Sequence, residues 1–250
     1  MSTLCTTGII TRCVNYRDSD KILTIFSAEH GRIDAKARGC RRQKSPLLCA
    51  TQPFVYGEFE LFLYQDKFTL NQCDVREPFF PLCEDITRFA AGACLLAWIQ
   101  DAVQPGEPNA PLFSLLFQSL YDLTYKPCDP MDVTICFLLR YMNILGYCPA
   151  IIQCASCGCD LRTHKRIAFS PAHGGAVCQA CNGSNARLIS PLALEAMRRM
   201  LLLRDDQMDR VRLPQHIRKE LFAHLEGYCS YVLERAYQPV MYFKKLYFNG

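Results

Sequence analysis

The stretch Phe54-Val55-Tyr56-Gly57-Glu58-Phe59-Glu60-Leu61-Phe62-Leu63-Tyr64-Gln65-Asp66-Lys67-Phe68 decides the fold of the first third of the chain. Phe59, Leu61 and Leu63 alternate with Glu60, Phe62 and Tyr64, a period of two that turns one set into a core and leaves aromatics on the opposite face. Gln65-Asp66-Lys67 then reads as a tight turn into a second β-prone run over 68–75. Upstream, the same texture recurs over 8–14, 21–27 and 32–38, with Glu29-His30-Gly31 as a hairpin turn between the last two. Five short strands in about 75 residues suit a small closed or partly closed barrel.

Downstream of Pro78 and Pro81 the periodicity changes to helical. Ile86, Phe89, Ala93, Leu96 and Ala97 recur at helical spacing within 83–103, and Pro105, Gly106 and Pro108 end that helix. Further helices are expected over 110–124 and 131–145, the latter closed by Gly146. Ser190-Pro191 supplies an N-cap and a first-turn proline for a helix to about residue 203, and Pro214 opens another running to about 237. The expected organisation is α+β and multidomain: a barrel over 1–80, then a helical domain over 81–250 into which a cysteine element is inserted at about 150–187.

That element carries the sharpest chemical signal. Cys154-Ala155-Ser156-Cys157 and Cys178-Gln179-Ala180-Cys181 form two C-x2-C pairs separated by 20 residues, the spacing of a four-cysteine zinc site. Two intervening residues let a tight turn aim both thiolates at one ion, and Gly158, Gly174-Gly175 and Gly183 supply permissive backbone. Two unrelated redox pairs, or four ordinary buried cysteines, are the competing interpretations. A redox C-x-x-C belongs with a βαβ pattern that is absent here. Four thiolates close the coordination shell, so one structural Zn2+ is expected, with Cys154, Cys157, Cys178 and Cys181 as ligands and Cys159 and His173 as bystanders that could in principle substitute. Among the 16 cysteines, those such as Cys94, Cys136 and Cys229 are expected to be small buried hydrophobes in a reducing setting.

Charge is unevenly spread. Residues 1–50 carry nine Lys or Arg against four acids, 51–150 five against twelve, and 151–250 fourteen against eight, so both ends are basic around an acidic middle. Lys36, Arg38, Arg41, Arg42 and Lys44 place five cations in nine residues with no acid, just after a predicted strand. Such a run fits contact with phosphates, which needs charge and not base identity. A solvated basic loop without a ligand is the alternative. Arg12 and Arg17 extend the same surface, and Tyr56, Phe62 and Tyr64 are available to stack unpaired bases or to serve simply as core.

No Gly-rich phosphate loop with Lys-Ser/Thr, nucleophile elbow or H-E-x-x-H occurs, and the five histidines are scattered, so no catalytic residue is assigned. Neither a basic stretch leading into an apolar core at the start nor a run of roughly 20 apolar residues is found, which leads to the expectation of a cytoplasmic protein.

Several segments, in order, resemble the bacterial RecO recombination mediator family. Thr7-Gly8-Ile9-Ile10 through Asp20-Lys21-Ile22-Leu23-Thr24-Ile25-Phe26-Ser27 and His30-Gly31-Arg32 are similar to its opening strands, and Ala37-Arg38-Gly39 to Lys44-Ser45 to its basic loop. Phe137-Leu138-Leu139-Arg140 with Leu145-Gly146-Tyr147-Cys148-Pro149 resembles the helix before the cysteines, and Phe169-Ser170-Pro171 with Gly174-Gly175-Ala176-Val177-Cys178 the zinc region. Pro46 departs from the basic residue usual after the serine. The resemblance implies an OB barrel, a helical C-terminal domain and a zinc-ribbon-like insertion. It also implies a non-enzymatic, nucleoid-associated protein that binds single- and double-stranded DNA, anneals complementary strands, and with RecR loads RecA onto strands coated by single-stranded-DNA-binding protein (SSB). Arg140, beside Leu139 and Tyr141, is the contact it implies for the acidic tail of SSB. A zinc-ribbon adaptor that binds only acidic protein partners is the alternative from a different class.

Overall fold

The structure, a computed structural model, describes residues 2–183 and 186–249. Its first compact unit ends at Tyr125 and its second begins at Lys126.

The first unit opens with five strands, β1 (Ser2–Tyr16), β2 (Asp20–Ser27), β3 (Gly31–Ala37), β4 (Tyr56–Tyr64) and β5 (Lys67–Glu77), closed in the order β1-β2-β3-β5-β4. All neighbours are antiparallel except β3 and β5, which run parallel through Ala35↔Phe68 and Lys36↔Thr69. This is the OB arrangement, a five-stranded Greek-key barrel. Ile10, Leu23, Ile25, Ile33, Phe59 and Leu61 fill it, and Phe62 and Tyr64 lie outside, as the alternation requires. Gln65 and Asp66 both adopt positive φ (47° and 57°), the pairing that a two-residue hairpin turn of matching twist demands.

Helices α1 (Ile86–Ala102) and α2 (Ala110–Tyr125) belong to the barrel's unit. Tyr56 packs edge-on against Phe117 of α2 at 4.9 Å, and Phe26 against Phe113 at 5.4 Å. The spatial division therefore falls 45 residues beyond the boundary expected at 80, because these helices cover apolar barrel residues. The face expected for α1 is corrected in part: Leu96 is buried and Ala93 and Ala97 half-buried, but Ile86 and Phe89 are exposed, and Ala90, Ala91, Cys94, Leu95, Trp98 and Ile99 are buried. A helix apolar on nearly every side gives no narrow stripe to read.

The second unit holds α3 (Pro130–Ile144), a three-stranded antiparallel sheet of β6 (Ile167–Ser170), β7 (Gly175–Cys178) and β8 (Arg187–Ile189) in the order β7-β6-β8, then α4 (Pro191–Leu202), α5 (Gln215–Val232) and α6 (Gln238–Asn249). Ser190 caps α4 through its side chain, as its Ser-Pro start predicts. The helix expected from Pro214 to about 237 instead stops at Val232, Glu234 turns through φ 52°, and α6 restarts with Pro239 in its first turn. Phe169 of β6 meets Tyr228 of α5 edge-on at 5.7 Å, so the small sheet is docked on the helices. Cys94, Cys136 and Cys229 are buried as expected. No helix among the described residues is long and apolar enough to cross a membrane.

Candidate nucleic-acid interface and cysteine centre

Barrel register explains how the cations assemble. The row Val14↔Ile22↔Lys36↔Thr69↔Phe62 runs across the outer face from β1 to β4, and Arg12↔Thr24↔Asp34 is the neighbouring row. Around the first row lies a cavity of about 840 Å³ lined by aromatics Tyr16, Phe62, Tyr64 and Phe68 and by cations Lys36, Arg38 and Lys67. Both the β4–β5 turn and the end of β1 border it, the loops that flank the ligand face of OB barrels. Beside it, Arg17, Asp20, Lys36, Arg38, Gly39 and Arg42 line a second hollow of about 510 Å³.

The basic run is not a loose loop. Cys40 is fully buried in the barrel core, while Arg38, Arg41, Arg42 and Lys44 on either side are exposed. Gly39 takes φ 62°, where a side chain would be strained, and donates its N–H to Asp20 Oδ1 at 2.8 Å. Lys36 Nζ reaches Asp20 Oδ2 at 3.0 Å. That Gly39 N–H, reinforced by Lys36, holds the Asp20 carboxyl below the usual carboxylate range. Arg41 is pinned by its own N–H to the Ser19 carbonyl at 3.0 Å and by its guanidinium to the Arg17 carbonyl at 3.3 Å. Arg17 and Lys36 lie over the Tyr16 ring at 5.3 and 5.0 Å from its centroid. Among the carboxylates nearby, Asp34 is occupied by Arg32 at 2.8 Å and Thr24 at 2.7 Å.

The structure thus brings Lys36, Arg38, Arg41, Arg42 and Arg17 to one rim. Lys44 continues the exposed loop, and Arg12 sits on the adjacent row outside the cavity lining. Tyr56 is removed from the stacking set, since it packs under α2. Tyr16, Phe68, Lys67 and the anchor Asp20 escaped the sequence-level reading. Asp20 is an acid that a search for positive charge discards, and Tyr16 gains meaning only once register places it beside Lys36.

In the second unit the cysteines converge. The Sγ atoms of Cys154, Cys157, Cys159 and Cys178 all lie within 4.8 Å of one another. Cys157 and Cys178 sulfurs are 3.8 Å apart, close to the roughly 3.8 Å edge of a tetrahedron with metal–sulfur bonds of about 2.3 Å. The donor set therefore fits a thiophilic metal ion. Cys181 is outside that tight group, at the end of the 3-10 turn Gln179–Cys181 that follows Cys178. Three of the four expected ligands are together, and Cys159, expected as a bystander, joins them. His173 pairs instead with Ser170 at 2.9 Å.

Backbone geometry builds both knuckles. Gly158 N–H returns to the Cys154 carbonyl at 2.9 Å, Cys154 N–H donates to the Cys159 carbonyl at 2.8 Å, and Cys178 N–H donates to Cys154 Sγ at 3.3 Å. Burial alone would push the Cys154 thiol up, but the N–H groups of Cys157, Cys178 and Ser156 outweigh it and hold it down at about 6. The N–H of Cys181 likewise lowers Cys178. Cys159 is pushed up to about 12, by burial first and then by the neighbouring Cys157 and Cys178. Gly175 is required by packing: a Cβ there would fall 2.4 Å from the Ala150 backbone, which bridges to β7.

Arg140 is half-buried and already engaged, pairing with Asp205 at 2.5 Å and donating to the Leu203 carbonyl at 2.9 Å. Leu139 and Tyr141 beside it are fully buried in the core, so they form no open apolar pocket for a tail.

An OB barrel with a cationic, aromatic outer face, followed by a helical region bearing a metal-ready thiol ribbon, defines the class of protein. The chain belongs to the RecO family: residues 1–79 match Recombination protein O N terminal and residues 83–239 match Recombination protein O C terminal. It is 34% identical over 234 residues to the DNA repair protein RecO of Desulfitobacterium hafniense, covering 92% of this chain and 85% of that one. It is also 31% identical to the DNA repair protein RecO of Acetivibrio thermocellus, covering 98% of each chain, and 33% identical to that of Symbiobacterium thermophilum, covering 91% of each. The two family segments meet near residue 80, whereas compactness divides the chain after Tyr125.

Proposed function

We propose that this chain is a recombination mediator whose barrel face holds DNA and whose ribbon holds one structural zinc ion. The observation that carries the DNA reading is the joint lining of one cavity by Tyr16, Phe62, Tyr64 and Phe68 with Lys36, Arg38 and Lys67. Cations neutralise phosphates while aromatic rings accept unpaired bases, the combination that single-stranded nucleic acid requires. Arg41, Arg42, Lys44, Arg17 and Arg12 extend the phosphate track along the rim. In the ribbon a closed thiolate shell would cross-link two knuckles and leave no open position for catalysis. The mediator acts without bond cleavage: it anneals complementary strands and, with RecR, loads RecA onto strands coated by SSB. An acidic SSB tail arriving at Arg140 competes with Asp205 for the guanidinium, so that contact is an exchange of partners.

The test is oligonucleotide binding as a function of salt, without any partner protein. Arg41→Ala should lower the slope of log affinity against log salt by about 0.7 for single strands. An unchanged slope removes Arg41 from the track, and no binding by the wild-type chain at low salt favours the protein-only adaptor. Annealing of complementary strands coated with cognate SSB, with and without RecR, tests the mediator step.

A further inference from the structure

Five thiols crowd a site that offers a tetrahedral ion four positions. Three of them form a fixed frame. Cys154 is tied through its Sγ to the Cys178 N–H, and Cys157 lies 3.8 Å from Cys178 across the frame. Two more compete for the remaining vertex. Cys159 is two residues past Cys157, inside the same turn, with its Sγ within 4.8 Å of all three frame sulfurs. Cys181 closes the second C-x2-C knuckle, three residues past Cys178 at the end of the single 3-10 turn Gln179–Cys181, so the backbone that fixes Cys178 also carries it. Off the metal, Cys159 has a resting partner: its Sγ sits 3.4 Å from His164 Nε2.

We propose that Cys154, Cys157 and Cys178 are permanent metal ligands and that Cys159 and Cys181 exchange at the fourth position. The exchange rests on the metal-holding reading above. It is a ligand substitution that balances within the site: the incoming sulfur forms its bond to the metal as the outgoing metal–sulfur bond breaks, and the proton of the incoming thiol passes to the outgoing one. Neither the charge of the centre nor its four-sulfur shell changes. Two tethered thiols at one vertex give the ion a built-in associative route, so metal should leave to a competing chelator faster than from a site with exactly matched ligands.

The test uses the full chain loaded with zinc, and with cobalt as a spectroscopic stand-in. Cys159→Ser and Cys181→Ser should each retain one ion per chain with the sulfur-to-cobalt charge-transfer intensity of four thiolates, while the double variant falls to that of three. Transfer of zinc to a chelator should be several-fold slower from either single variant than from wild type. Loss of one thiolate in Cys181→Ser with no change in Cys159→Ser would overturn the exchange and restore the two-pair ligand set. The converse pattern overturns it in favour of Cys159 as the fixed fourth ligand. Equal release rates in all three proteins would also overturn it, and a wild-type chain that takes up no metal would sink the metal centre itself.

Discussion

The basic loop of the barrel and the cysteine ribbon are both irregular segments hung on short strands, yet they are held in opposite ways. In the loop, the anchors are the protein's own: Cys40 is sunk in the barrel core and Asp20 gathers Gly39 and Lys36. In the ribbon, the centre of the segment is a cluster of sulfurs, two of them biased toward the anionic form by backbone N–H groups. Thiolates packed together repel, so a bound cation would stabilise the ribbon's centre, whereas the loop is held by contacts within the barrel itself. One segment presents charge and the other consumes it.

The largest effect should come from breaking the ribbon. Zinc binding in small modules carries roughly 10 to 16 kcal/mol of apparent energy. Cys157→Ala removes a sulfur of the fixed frame and forces Cys159 and Cys181 to fill two vertices at once, so it should hold zinc far more weakly than wild type and loosen the ribbon, as chelator competition and near-ultraviolet circular dichroism would register. Oligonucleotide binding should survive, because the barrel's anchors lie elsewhere. Zinc held by that variant as tightly as by wild type would break the contrast between the two segments. A smaller effect is expected on the barrel: Tyr64 is 51% exposed and contributes little to folding, so Tyr64→Ala should leave the melting temperature unchanged. Base stacking is worth about 1–3 kcal/mol per base, which converts to roughly 5- to 150-fold weaker binding of single strands in a fluorescence titration. An unaltered affinity would leave the cavity with phosphate contacts alone.

Next in size is a variant whose sign separates anchoring from simple charge. Asp20→Ala deletes an acid from a cationic rim, and by Coulomb attraction alone DNA should bind more tightly. If Asp20 holds the loop, losing its bonds to Gly39 and Lys36 should loosen the basic run and weaken binding instead. Tighter binding in an oligonucleotide titration would make the loop as unconstrained as its sequence suggests.

How much of this was legible in the sequence follows from which interactions are local. Alternation in 54–64 reports strand faces directly, and β4 indeed turns Phe59 and Leu61 in and Phe62 and Tyr64 out. The spacing of the knuckles is equally local, and it located the thiol cluster. Cys159 was undervalued because spacing counts pairs, while the turn from Cys154 to Cys159 that brings its sulfur inward depends on hydrogen bonds across the knuckle. Tyr56 was misplaced for the complementary reason: its strand period sets it outside the barrel, and only α2 decides that the outside is covered there. Likewise Arg140 looked available until Asp205, 65 residues away in sequence, was found against it.

The smallest expected effect concerns how the ribbon's sheet is fastened to the helices, and it asks whether that sheet depends on metal alone. His224 of α5 donates from Nε2 to the Leu188 carbonyl of β8 at 3.1 Å, and its ring lies 5.5 Å from that of Phe169. Burial lowers its pKa from the ordinary value near 6.5, against the opposing pull of the Leu188 carbonyl. The folded state therefore favours neutral imidazole, and between the lowered pKa and about 6.5 the unfolded chain binds more protons than the folded one. Stability from this group is complete above about pH 6.5 and declines as the pH falls through that window. His224→Gln keeps an amide donor for Leu188 but cannot titrate. Chemical denaturation of the metal-loaded proteins at pH 5.5 and 7.5 should show a larger acid-side loss for wild type than for the variant, the difference cancelling whatever acid does to the thiolates. Equal losses would mean that the contact between α5 and β8 bears none of the ribbon's stability, leaving its attachment to the cysteine knuckles and to the Phe169–Tyr228 pair.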